Sequence, residues 1–200
     1  MADTIIHIHE DDWGMRNLYP LAAQSEVAGD LAAAATAGEK NRDPLGYGWR
    51  DVHVIAQPSI TFAQAGLLLS SAIAVLEPVM PRVRHFYATA SFGFREGAHD
   101  SMGSYEDDAW CFGFDEQCYL YLGTEGDHVA SIWFDLHSNA LEREAALKRA
   151  VQAIDRLVPS MIADYLWSAE IAVADTAHID RYFAALGGRK PYRSESTQQR

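Results

Sequence analysis

Cysteine is scarce in this sequence, since its 200 residues include only Cys111 and Cys118. Small secreted domains held by disulfides contain several cysteines, whereas two in an ordinary composition are typical of buried thiols in a reducing compartment. Long apolar runs are also missing, because the most apolar stretch, 65–76, is too short to span a bilayer. The first residues are acidic rather than basic, unlike a secretion signal. We therefore expect a cytoplasmic protein without a membrane segment.

Positive charge is in short supply as well. The chain has 16 lysines and arginines against 28 aspartates and glutamates, for a formal net charge of -12. Such a chain repels the phosphates of nucleic acids and the headgroups of anionic membranes, which excludes both as partners. The charge favours a basic protein as the partner, although acidity also serves solubility alone.

Motifs for catalysis are absent from the sequence. It has no Gly-x-Ser-x-Gly elbow, no glycine-rich phosphate loop followed by lysine, and no Cys-x-x-Cys or His-x-x-x-His pair. The two cysteines lie in apolar strand-like runs, where core thiols are more common than nucleophiles. The sequence therefore favours a protein that is not an enzyme and needs no cofactor.

One metal site is the alternative. His7 and His9 alternate on a predicted strand and would point to the same side, about 6–7 Å apart. With Asp11 they could converge on zinc or a similar ion, and the pattern is similar to the His-x-His start of metal-dependent hydrolases. The competing interpretation is two hydrogen-bonded strand histidines followed by an acidic loop.

The middle of the chain predicts the scaffold. Alternation of apolar and polar residues, with many aromatic and β-branched side chains, indicates four strands at 85–94, 108–114, 118–122 and 129–136. Short connectors rich in Gly and Asp join the last three, and a long polar connection follows the first. We predict an α+β fold, in which an antiparallel sheet built on a four-stranded meander has helices mainly on one face. A mixed sheet is the alternative.

Further elements flank the meander within a single domain that spans 1–188. Capping residues, prolines and helical spacing predict helices at 20–37, 61–76, 139–158, 160–167 and 176–186. Short strands are predicted at 4–9, 52–57 and 171–174. The remaining 189–200 is polar and without periodicity, and we expect a flexible tail.

Two acidic segments with an aromatic residue are candidates for binding a partner. They combine charge that attracts a basic protein with rings that anchor it. The first is Glu10, Asp11, Asp12 and Trp13, and the second contains Glu96, Tyr105, Glu106, Asp107 and Asp108.

The opening stretch 5–20, IIHIHEDDWGMRNLYP, together with the acidic α+β domain and the lack of catalytic motifs, resembles the immunity proteins of bacterial polymorphic-toxin and contact-dependent systems. The resemblance implies a protein that binds and neutralises a cognate toxin in the cytoplasm, covering its active site or an adjacent surface. It assigns no contact residues. A third interpretation is a regulatory or assembly domain that forms a homodimer through a sheet face bearing Tyr119, Tyr121 and Trp133.

Overall fold

The computed structural model of the protein describes residues 4–45, 53–90 and 103–188. Glu96 and the predicted tail, 189–200, lie outside these ranges. The described chain forms four α-helices, which are α1 (Gln24–Lys40), α2 (Leu69–Leu76), α3 (Leu141–Asp155) and α4 (Thr176–Leu186). It also forms ten strands, which are β1 (Ile5–His9), β2 (Arg16–Pro20), β3 (Arg82–Val83), β4 (His85–Thr89), β5 (Ser104–Glu106), β6 (Cys111–Asp115), β7 (Cys118–Glu125), β8 (His128–Leu136), β9 (Ser160–Asp164) and β10 (Ala169–Ala172).

Seven strands form one antiparallel sheet in the order β10-β9-β2-β8-β7-β6-β3. Its centre is the meander β6–β7–β8, in which Phe112 pairs with Leu120 and Leu120 pairs with Phe134. Strict alternation along β8 places Ile132 and Phe134 on one face and Trp133 on the other. The predicted α+β class with a mostly antiparallel sheet is confirmed.

The first strand of the predicted meander lies in a different sheet. β4 pairs in parallel with β1 and antiparallel with β5, which makes a small mixed sheet of three strands. The two-residue strand β3 takes the place beside β6 instead. The alternation within 85–89 predicts a strand correctly, but alternation alone carries no information about which neighbour the strand joins.

Three other predictions are wrong. The stretch 160–167 is not helical, because Ser160–Asp164 forms β9, a central strand whose five residues are all buried. A strand covered on both faces loses the alternation that would identify it. Residues 53–57 form no strand. The helix predicted at 61–76 covers only Leu69–Leu76. A turn precedes it, in which Thr61 and Gln64 form hydrogen bonds with each other.

The large sheet is covered on both faces. The helices α2, α3 and α4 pack on one face, in a core that includes Leu76, Leu147 and Phe183, so the predicted placement of helices mainly on one face is confirmed. The opposite face is shared. The small sheet covers β6–β8, and α1 covers β9 through Val27 and Leu31.

Candidate partner-binding surface

The two faces of the small sheet differ in character. Its inner face carries Ile6 and Phe86, which are buried against Tyr119, Tyr121 and Trp133 of the large sheet. Those three rings therefore have partners within the chain, and the homodimer that would use them stays a prediction.

The outer face of the small sheet is partly exposed and carries imidazole and phenol rings. Tyr87 of β4 and Tyr105 of β5 are register partners whose ring centroids lie 5.1 Å apart. His85 lies beside Tyr87, with 6.3 Å between the ring centroids. His7 and His9 project from the neighbouring β1 on the same side. This set, with Ile5, is called the outer face below.

One predicted acidic segment lies at the end of β5 and directly after it. Asp107 accepts a hydrogen bond of 2.8 Å from the Tyr87 hydroxyl and contacts His85 Nδ1 at 3.1 Å. This hydrogen bond raises the pKa of the Tyr87 hydroxyl, because the neutral phenol is the donor. Asp107 and Asp108 are 76% and 74% exposed, although Asp108 also pairs with Arg82 at 3.0 Å. The Asp107 carboxylate therefore lies beside the outer face, and the exposed Asp108 carboxylate follows it next to Arg82 of β3.

Glu106 differs from its two neighbours, because it turns towards the large sheet. It is half-buried and pairs in register with Phe86 of the inner face. The Tyr121 hydroxyl donates to both of its carboxylate oxygens, at 2.8 and 2.7 Å. Glu106 therefore ties the two sheets together rather than joining Asp107 and Asp108 at the surface.

The other predicted acidic segment is a 3-10 turn, Glu10–Asp12, directly after β1. Glu10 and Asp12 are exposed. Because His9 pairs with Thr89 at the end of β4 and Glu106 with Phe86 near its start, the two acidic segments flank the outer face at opposite ends. A five-residue strand separates such ends by about 13 Å.

Trp13 follows this turn and closes the gap between the sheets. Its ring centroid lies 5.7 Å from those of Phe86 and Tyr121 and 5.0 Å from that of Trp133. It is still 38% exposed. Trp13 therefore packs as a lid on the aromatic cluster and offers one edge to solvent.

The histidine pair makes hydrogen bonds within the small sheet. His7 Nε2 lies 2.7 Å from Thr89 Oγ1, and His9 Nε2 lies 3.1 Å from the Ala90 carbonyl oxygen. Partial burial lowers the pKa of His7. Among residues 4–45, 53–90 and 103–188, no three His, Cys, Asp or Glu side chains are grouped to hold a metal ion. A site on His7, His9 and Asp11 stays a prediction.

A buried ionic network next to this region is not predicted by the sequence analysis. Arg16, 5% exposed, donates from Nε to Asp164 at 3.1 Å and from a guanidinium nitrogen to Asp135. Asp164, which is fully buried, also accepts from the Tyr182 hydroxyl at 2.9 Å and from the Trp167 amide at 2.9 Å. One feature of the sequence could have indicated this network. Asp164 directly follows three apolar residues, and a charged residue at the end of an apolar strand needs a buried partner.

The network holds β2 between its two neighbours. Asp135 lies on β8 and Asp164 on β9, so the guanidinium of Arg16 joins three strands at one end of the sheet. The two carboxylates raise the pKa of Arg16 despite its burial.

The exposed end of the network is an imidazole. His137 Nε2 lies 2.8 Å from the second carboxylate oxygen of Asp135. This hydrogen bond raises the pKa of His137. The charge on Asp135 is thus compensated by Arg16 on one side and, when His137 is protonated, by an imidazolium on the other.

The fold defines an α+β protein with a mostly antiparallel sheet. Comparisons of the chain with protein-family models, with curated proteins and with solved structures find no match. None of the helices in the described ranges has the length and apolar character needed to cross a bilayer.

Proposed function

We propose that the protein is a non-catalytic binding protein of the immunity type, which neutralises a basic toxin by contact through the outer face of the small sheet. One observation supports this proposal above the others. Partly exposed tyrosine and histidine rings lie between two acidic segments, the end of β5 and the turn Glu10–Asp12. Tyrosine is enriched where binding energy concentrates, and flanking acid complements a basic partner.

The rings are arranged before any partner arrives. The Tyr87 hydroxyl is held by Asp107, and its ring rests against Tyr105 and His85. Side chains already fixed in place lose less conformational entropy on binding than mobile ones, which improves affinity. The exposed carboxylates act earlier, because they speed the encounter with a basic protein at low ionic strength.

The size of the surface sets how far the contact must extend. Two strands of five residues and one of three cover roughly 200 Å², whereas a standard interface buries about 800 Å² on each partner. The sheet face alone is therefore too small. Contact that also includes both acidic segments and the exposed edge of Trp13 comes closer to the required area, which is why the proposal assigns them all to one interface.

A capture experiment tests the proposal with charge-reversal variants. The wild type, the surface variant Asp107→Lys/Asp108→Lys and the control Glu77→Lys/Asp180→Lys are immobilised and exposed to lysate of the source strain. The control has the same change in charge, on exposed residues of the helix side. Proteins retained in near-stoichiometric amount are identified by mass spectrometry at low and high salt.

We expect one basic protein to be retained by the wild type and the control, to be released by salt, and to be retained weakly by the surface variant. That protein should arrest growth when expressed alone, and co-expression of the wild type should restore growth. Equal retention by the surface variant, or a captured protein without toxicity, would contradict the proposal.

A further inference from the structure

A cleft of about 450 Å³ opens on the second face of the large sheet, between the small sheet and the segment packed on α1. Its floor is the seam between β2 and β8, which pair only at Asn17 with Trp133 and at Leu18 with Ile132. Beyond Leu18, β2 continues beside β9 alone. β2 and β8 therefore separate after Leu18, and the cleft occupies the gap between them.

Aromatic rings form one wall of the cleft. Trp13, Tyr121 and Trp133 line it, and the Trp133 centroid lies 5.0 Å from that of each of the other two rings. Trp13 is the exposed member of the three. Because Tyr121 and Trp133 are only 7% and 3% exposed, Trp13 alone offers ring surface on which a flat ligand can stack.

Three neutral polar side chains also line the cleft, and two of them, Gln57 and Ser131, are exposed to solvent. The Asn17 amide nitrogen donates to the Gly14 carbonyl oxygen, and within the described residues its Oδ1 accepts no hydrogen bond. Ser131 Oγ and the Gln57 amide likewise have no partner among those residues. A Cβ at Gly123 would lie 2.3 Å from the Ser131 hydroxyl oxygen, so the hydroxyl would have to rotate away. The three groups provide a carbonyl, a hydroxyl and a primary amide.

The outer wall is an irregular segment, 53–60, which is tied to α1 by two carboxylates. Glu26 accepts from the amide and the hydroxyl of Ser59, at 2.8 and 2.5 Å. Asp30 contacts His53 Nε2 at 2.8 Å and accepts from the Tyr165 hydroxyl at 2.7 Å. These bonds hold the cleft open without a ligand, as is usual for small-molecule sites.

We propose that this cleft binds a small, uncharged, planar heterocycle of the purine type. Among the described lining residues none carries a charge, so a charged ligand would lose its hydration without compensation. Amide side chains such as those of Asn17 and Gln57 pair with the donor and acceptor edge of adenine. The volume is within the range of about 300–1,000 Å³ that is typical of ligand sites.

Calorimetric titration with adenosine tests this proposal, and it does not depend on the toxin-binding function. Adenosine 5′-monophosphate serves as the charged comparison and methyl glucoside as the neutral, non-planar one. The variants Ser131→Ala and Gln57→Ala remove one polar group each. Ser70→Ala and Gln152→Ala are matched controls on α2 and α3, on the other side of the large sheet.

We expect saturable binding of one adenosine per chain, weakened about three- to tenfold by each cleft variant, as one lost hydrogen bond implies. The controls should bind like the wild type, and the monophosphate and the glucoside should bind more weakly than adenosine. Melting curves verify that each variant is folded. Absence of saturable binding, affinity that both cleft variants leave unchanged, or preferential binding of the glucoside would overturn the proposal.

Discussion

Replacement of Arg16 by methionine is the perturbation for which the structure gives the clearest expectation. The substitution preserves much of the side-chain volume but leaves Asp135 and Asp164 without their shared cation. Asp164 is fully buried, so water cannot replace the lost partner. Removal of one member of a buried ion pair costs about 3–5 kcal/mol. Since domains are stable by only about 5–15 kcal/mol, this loss is a large fraction of the total.

Urea unfolding followed by tryptophan fluorescence measures the effect, with Lys148→Met as the matched control. Lys148 pairs with Asp180 at 2.8 Å, but the Asp180 side chain is 63% exposed, and exposed pairs contribute about 0–1 kcal/mol. If Arg16→Met alone does not fold, Arg16→Met/Asp164→Asn removes one uncompensated charge and should recover part of the stability. A loss for Arg16→Met no larger than that of the control would refute the account of the network.

Three further predictions concern stability and reactivity. Because the Asp135 hydrogen bond raises the pKa of His137, its stabilisation is complete below the unfolded pKa of about 6.5 and is lost as pH rises through the folded value. The melting-temperature difference between wild type and His137→Gln should therefore shrink from about pH 6 to about pH 8, and a constant difference would contradict this. Burial raises the pKa of the Cys118 thiol to about 12, so a disulfide reagent should modify it in urea but only slowly in the native protein. Gly29→Ala, with open space around the new Cβ, should stabilise α1 by about 0.5–1 kcal/mol in thermal unfolding. Gly113→Ala, whose Cβ would lie 2.7 Å from a β7 carbonyl oxygen, should destabilise the protein by about 1–3 kcal/mol. If Gly113→Ala were more stable than Gly29→Ala, the space around the new Cβ would not explain the effect of these substitutions.

Local patterns in the sequence were sufficient to predict the position of helices and strands that bury only one face. β7 and β8 alternate, and α3 and α4 repeat apolar residues at helical spacing, so their positions follow from the sequence. β9 is covered on both faces and has no such pattern. Its neighbour β2 is ended by Pro20, a residue that also suits the first turn of a helix.

The candidate surface could be predicted only in part, because local patterns do not show which strands pair. Its acidic segments are local in sequence and can be recognised as clusters. The outer face depends on the parallel pairing of β1 with β4, which brings His7 to Thr89 across 82 positions of the chain. No spacing in the sequence indicates that partner. The inward turn of Glu106 follows from another pairing, that of β5 with β4, which the sequence does not indicate either.

Hydrogen exchange of the protein, alone and bound to the captured toxin, tests the proposed interface most directly. Backbone amides near a contact exchange more slowly when solvent is excluded. The account predicts added protection in 5–13 and 104–108, the two acidic segments and the edge strands of the small sheet, with no change in α2 or α4. Protection confined to the helices on the opposite side of the large sheet would contradict it.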